Sequence, residues 1–207
     1  MKKQLLILCL LINTTILTAQ SNETFELKAK YEAPETKEDF QMELFQGIQK
    51  IQFSLDNNPA LNGKDYRIVI KEYQDGELHS EKIVLDTKEE RLPKIDSTFK
   101  FTLFAQNLLN YQKIAFFFPR FMNKKIYQTK DTFKDGDFSL RQINVGSEHL
   151  NFQFNEPFQV ALITPPNRDP SKGNLGYCEV SQGGIEIAKW YEKYQIPQFF
   201  LVYLEIG

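Results

Sequence analysis

The side chains best suited to recognition chemistry gather in one long loop. From Thr164 to Gly184 the sequence is punctuated by Pro165, Pro166, Pro170, Gly173, Gly176, Gly183 and Gly184. Within it stand Arg168, Asp169, Lys172, Asn174 and Tyr177. Together they offer both signs of charge, an amide and an aromatic ring, a set suited to holding a polar ligand. A connection this long inside a compact domain is either a functional loop or a solvated excursion. These five residues are the expected ligand-binding set.

Other chemistry-bearing residues lack a constellation. His79 and His149 have no second His or Cys at the spacing a zinc site needs. A Ser–His–Asp triad is assembled in space, but no G-x-S-x-G nucleophile elbow is present. The stretch Asp131-Thr132-Phe133-Lys134-Asp135-Gly136-Asp137 invites a calcium reading. An EF-hand loop needs an oxygen ligand at its third position and Glu at its twelfth, and here those are Phe133 and Gln142. Asp135-Gly136 reads as a turn instead. Glu89, Glu90 and Asp39 sit in polar connectors, and the spacing of a glycosidase pair is a distance in space. No catalytic residue, metal or cofactor is assigned. The densest aromatic run is Ala115-Phe116-Phe117-Phe118-Pro119-Arg120-Phe121. Core packing is its expected role. Arg120 with Tyr111 and Tyr127 offers a sugar- or peptide-binding face as the alternative.

The first twenty residues carry an address. Lys2 and Lys3 precede the apolar run Leu5 to Ile12, and Leu17-Thr18-Ala19 precedes Gln20. A basic start, an apolar centre and a small-residue exit are the parts of a secretory signal peptide over residues 1–19. Its loss moves the net charge from −2 to −4. A mildly acidic chain argues against nucleic acid as partner. No apolar stretch beyond residue 20 is long enough for a membrane-spanning helix. Cys9 lies within the apolar run and Cys178 is the other cysteine, so residues 20–207 hold one thiol and no internal disulfide. Cys178 is expected to behave as a small buried hydrophobe.

Strands are expected to position these residues. Phe25, Leu27, Ala29 and Tyr31 alternate with polar residues, as do Phe40, Met42 and Leu44, then Ile51, Phe53 and Leu55. Tyr66, Ile68 and Ile70 lead to Asp75-Gly76, a strong hairpin signal, with Leu78, Ile83 and Leu85 on the return strand. Phe99 to Leu103, Lys113 to Phe118, Phe133 to Leu140, Leu150 to Phe154 and Phe158 to Ile163 extend the series. One helix is expected near 184–195, where Ile187, Trp190, Tyr191 and Tyr194 share a face, with Ser181 as cap and Pro197 as stop. Phe199 to Ile206 reads as a central strand covered on both faces. The pattern predicts an antiparallel β-sandwich, jelly-roll or Ig-like, as one domain over 20–207. Two small β domains dividing near 106–111 are the alternative.

Ala19-Gln20 after a Leu-rich leader resembles exported proteins of Bacteroidota. The Phe-, Tyr-, Lys- and Asn-rich body is similar to small uncharacterised β-rich envelope proteins of that phylum. Asp96-Ser97-Thr98 looks like its O-glycosylation signal, which implies a glycan on Ser97. The expectation is a non-enzymatic envelope protein that binds a glycan, peptide or protein through sandwich loops. Its place is the periplasm, with the cell surface or extracellular space as the alternative. A glycan- or cell-wall-directed hydrolase using His149 with an acid is the second reading. A carrier holding an apolar ligand against Phe116, Phe152 and Phe154 is the third.

Overall fold

The computed structural model describes residues 24–55, 58–96, 98–130, 138–143, 149–166, 171 and 189–207. Among these, two antiparallel sheets face each other as a β-sandwich. In chain order the strands are β1 (Phe25–Tyr31), β2 (Ile48–Leu55), β3 (Tyr66–Gln74), β4 (Glu77–Asp86), β5 (Phe99–Leu108) and β6 (Tyr111–Phe117). Then come β7 (Met122–Gln128), β8 (Ser139–Gln142), β9 (His149–Phe152), β10 (Phe158–Thr164) and β11 (Gln198–Ile206). One sheet has six strands in the order β7-β6-β5-β2-β1-β9, and the other has five in the order β4-β3-β11-β10-β8.

The period of two decides which side chains enter the core. Phe25, Leu27 and Ala29, then Ile51, Phe53 and Leu55, are buried between the sheets. Phe99, Phe101 and Leu103 join them from β5. Opposite, β11 supplies Phe200, Val202, Leu204 and Ile206. Rings fill the interval: Phe53 stacks on Phe101 at 4.9 Å, and Phe152 on Phe158 at 4.7 Å. Phe116 is fully buried and Phe154 is partly buried against this core. The β3–β4 hairpin turns at Asp75 and Gly76 with φ of 51° and 89°. Two consecutive positive φ values match the twist of the flanking strands, which is why Asp-Gly suits the position. Residues 106–111 are the β5–β6 hairpin inside one sheet.

Side chains of the six-stranded sheet stitch the edges of the other sheet. Gln49 donates to the Phe138 carbonyl at 3.0 Å and accepts from the Leu140 N–H at 2.8 Å. The Tyr31 hydroxyl accepts from Gln142 N at 3.1 Å, and the Asn123 amide donates to the Val84 carbonyl. These bonds occupy edge groups that would otherwise template strand addition.

The expected strand through Phe40, Met42 and Leu44 is instead a helix, α1 (Lys37–Gln46). Its ends decided the outcome. The Thr36 hydroxyl accepts from Asp39 N at 3.0 Å and donates to the Asp39 carboxylate at 2.8 Å. Glu38 and Asp39 in the first turn favour the positive end of the helix. Gly47, at φ 62°, closes the other end and donates to the Glu43 and Leu44 carbonyls. Start and stop signals outweighed three alternating apolar residues.

The expected C-terminal helix is present as α2 (Trp190–Tyr194), and Ser181, its expected cap, lies outside the described residues. Gln195 ends it at φ 54°, two residues before Pro197. Trp190 and Tyr194 pack on Leu162, Phe199 and Leu201, which point outward from the five-stranded sheet. Thus β11 is covered on both faces, as its apolar run predicts. No helix among the described residues is long and apolar enough to cross a membrane.

Candidate binding face

The predicted loop set, Arg168, Asp169, Lys172, Asn174 and Tyr177, lies outside the described residues, as do Cys178, Ser97 and Asp131–Asp137. The two histidines lie on different sheets, His79 on β4 and His149 on β9. His79 is exposed on β4. His149 Nδ1 stands 3.3 Å from Glu26 Oε2, with both side chains substantially exposed. Among the described residues no group of three His, Cys, Asp or Glu side chains could hold a metal ion.

Arg120, Tyr111 and Tyr127 do not form one face. Tyr111 and Arg120 are exposed beyond opposite ends of the β6 run, whereas Tyr127 points into the core and packs on Phe200 at 4.9 Å. Burial, with the Glu72 charge as a smaller cause, pushes the Tyr127 phenol well above its ordinary value. The cause of the misplacement is register. Tyr127 pairs with Gln112 on the inner side, one residue out of phase with Tyr111.

Near Tyr127 a carboxylate is buried at one end of the sandwich. Glu72 is 5% exposed. Its oxygens accept from Gln74 at 2.7 Å, Gln198 at 2.8 Å and Ser80 at 3.0 Å. Gln198 also donates to the Gln128 carbonyl and accepts from Lys130 N, joining the two sheets. Three donors and a bridging amide make this a structural cross-link, since each buried acceptor is met.

The outer face of the six-stranded sheet is different. Cross-strand partners share a face, so the register defines it. Ile48, Gln106, Lys113 and Ile126 form one row. Lys50, Phe104, Ala115 and Lys124 form the next, and Gln52, Thr102, Phe117 and Met122 the third. Phe104 and Phe117 meet with centroids 4.7 Å apart and planes at 59°. They wall a shallow groove of about 240 Å³, with Ala115 and Ile48 among its apolar lining and Lys113 and Lys124 beside it. Phe117, Met122 and Ile126 are 43%, 45% and 55% exposed.

Charge reinforces the pattern. From Phe99 to Lys130 the chain holds Lys100, Lys113, Arg120, Lys124, Lys125 and Lys130, and no Asp or Glu. This occurs in a chain whose net charge is −2. Lys113 and Lys124 make no ion pair among the described residues. A second opening of about 200 Å³ at one end of the sandwich brings Lys100 and Arg120 beside Phe118 and Phe121, together with Asp96 and with Lys94, which is paired to Asp65 at 2.9 Å. The groove uses β7, a strand absent from the expected series. The acid-free run and the alternation of Met122, Lys124 and Ile126 are the sequence signals that find it.

An apolar groove with cations at its sides can seat an apolar side chain and pair a neighbouring carboxylate. It offers no nucleophile and no buried acid–base pair. Comparison with known proteins finds no family model, no curated protein and no solved structure that matches this chain.

Proposed function

We propose that this is an exported, non-enzymatic envelope protein that binds an acidic, apolar-bearing peptide segment on the outer face of its six-stranded sheet. The observation that supports this most is the conjunction on β5–β7: exposed apolar side chains between lysines, with no carboxylate on those strands. Apolar contact supplies affinity and lysine pairing supplies register and sign selectivity. A peptide fits better than a glycan. Phe104 and Phe117 are inclined to each other rather than presenting one flat stacking platform. Beside them stand Lys113 and Lys124, and the Gln106 amide that lines the groove already donates to the Gln46 carbonyl. The basic start and apolar centre of residues 1–19 support export, with the periplasm as destination.

The test is fluorescence anisotropy of a labelled peptide alternating Glu with Phe and Leu. Binding is expected, weakening as salt rises because the charges are exposed. The double variant Lys113→Glu/Lys124→Glu should remove it while the fold persists. Equal binding by that variant, or binding of an anionic oligosaccharide in preference to the peptide, overturns the reading.

A further inference from the structure

Helix α1 is built inside out. Its Glu43 is turned toward the domain, pairing with Lys50 at 2.7 Å. Its apolar residues face water: Phe40 is 54% exposed, Leu44 70% and Phe45 86%. No residue of α1 is buried. A helix on a globular surface ordinarily does the reverse, because burying the apolar side is what holds it there. Glu35 and Glu38 lie exposed at its N-terminal end and make no ion pair among the described residues.

The helix adjoins the groove. Lys50, which holds Glu43, lies in the same cross-strand row as Phe104, Ala115 and Lys124. The Gln106 amide donates to the Gln46 carbonyl at 2.8 Å, tying the C-terminal end of the helix to β5. At the adjacent hairpin tip Leu109 is 73% exposed and holds φ 45°, a backbone region that costs a branched L-residue energy. An acidic, apolar helix and a basic, apolar groove therefore stand side by side on one surface. Neither satisfies the other within the chain.

We infer that the occupant of the groove is α1 of a second copy of this chain. A two-fold axis between helix and groove places each helix on the other copy's sheet, giving two identical contacts. Phe45 and Leu44 then cover Phe117 and Met122, and Glu35 and Glu38 approach Lys113 and Lys124. This is helix-in-groove recognition in which Glu35, Glu38 and Asp39 outnumber Lys37 at the end of α1 that meets the groove lysines. The inference rests on the groove being the binding face, and it names the partner.

Charge exchange tests it. The protein expressed from the full sequence should be a dimer by light scattering at about 100 µM, a concentration that fills interfaces of micromolar affinity. Lys113→Glu/Lys124→Glu sets acid against acid. Glu35→Lys/Glu38→Lys sets base against base, leaving the Thr36–Asp39 cap untouched. Each variant alone should dissociate at least about tenfold more readily, a change of about 1.4 kcal/mol. Mixed one to one, the two variants should form a heterodimer, which misfolded variants cannot do. A monomeric wild type, or dimers that ignore both changes, overturns the inference. If the wild type is monomeric and Lys113→Glu/Lys124→Glu still abolishes peptide binding, the second copy is wrong and the groove stands. If the wild type is monomeric and still does not bind the peptide, the groove itself is wrong.

Discussion

The outer faces of β10–β11 in one sheet and of β6–β7 in the other are treated in opposite ways. The five-stranded sheet turns Leu162, Phe199 and Leu201 outward and covers them with Trp190 and Tyr194 of its own chain. The six-stranded sheet turns Phe117, Met122 and Ile126 outward and leaves them exposed beside lysines. Both faces are apolar. Only the first is part of the fold's own stability, because only there is the area removed from water within one chain. The second keeps its apolar area available for another molecule.

That contrast can be broken most severely at Trp190. Trp190→Ala removes the main cover of the five-stranded sheet and should cost about 3–5 kcal/mol, read as a lowered urea midpoint. A loss under about 1 kcal/mol, the ordinary cost of a substitution, would mean that face is not closed by α2. Next in size is the cap of α1. Thr36→Ala should cost the helix about 1 kcal/mol, seen as reduced protection of the Asp39 amide in hydrogen exchange. Because α1 buries nothing, the global urea midpoint should barely move. A large global shift would place α1 within the core.

On the open face the signs reverse. Phe117→Ser should cost no more than about 1.5 kcal/mol, the worth of its ring pair with Phe104, while removing peptide binding. Leu109→Gly should stabilise by up to about 1 kcal/mol, since glycine tolerates positive φ, while weakening association. A loss at Phe117 as large as that at Trp190, or any loss at Leu109, would assign those side chains to the fold.

The smallest effect is a titration. Burial on the covered face pushes the Tyr203 phenol up to about 12, against an ordinary value near 10. The folded protein therefore resists deprotonation. Its contribution to stability is complete below about pH 10 and is lost as pH rises through about 12. Tyr203→Phe should flatten the fall in urea midpoint across that window. An unchanged slope would show that Tyr203 is not shielded.

Much of the sandwich is legible in the residues, because alternation fixes strands without further context. β1, β2 and the Asp75-Gly76 hairpin follow from period two and one turn dipeptide. So does the doubly covered β11, whose run from Phe199 to Val202 leaves no polar face. The helix over 37–46 hides behind alternation because Phe40, Met42 and Leu44 fit a strand as well as they fit an unburied helix. Only Thr36 and Gly47 separate the two. Facing is harder still. Phe116 and Phe117 are chemically identical, yet one is core and the other walls the groove, and cross-strand register alone decides which. The proposed binding face draws on β2, β5, β6 and β7, so no contiguous motif announces it. Its one linear trace is the absence of acid from Phe99 to Lys130. The loop residues Arg168, Asp169, Lys172, Asn174 and Tyr177 lie outside the described residues.

The most direct test of the open face as the binding face is amide chemical-shift mapping during titration with the acidic, apolar peptide. Shifts are expected to concentrate on Lys113, Ala115, Phe117, Met122 and Lys124, with Phe199 and Leu201 on the covered face unmoved. Shifts centred on the five-stranded sheet, or spread evenly over both, would contradict it.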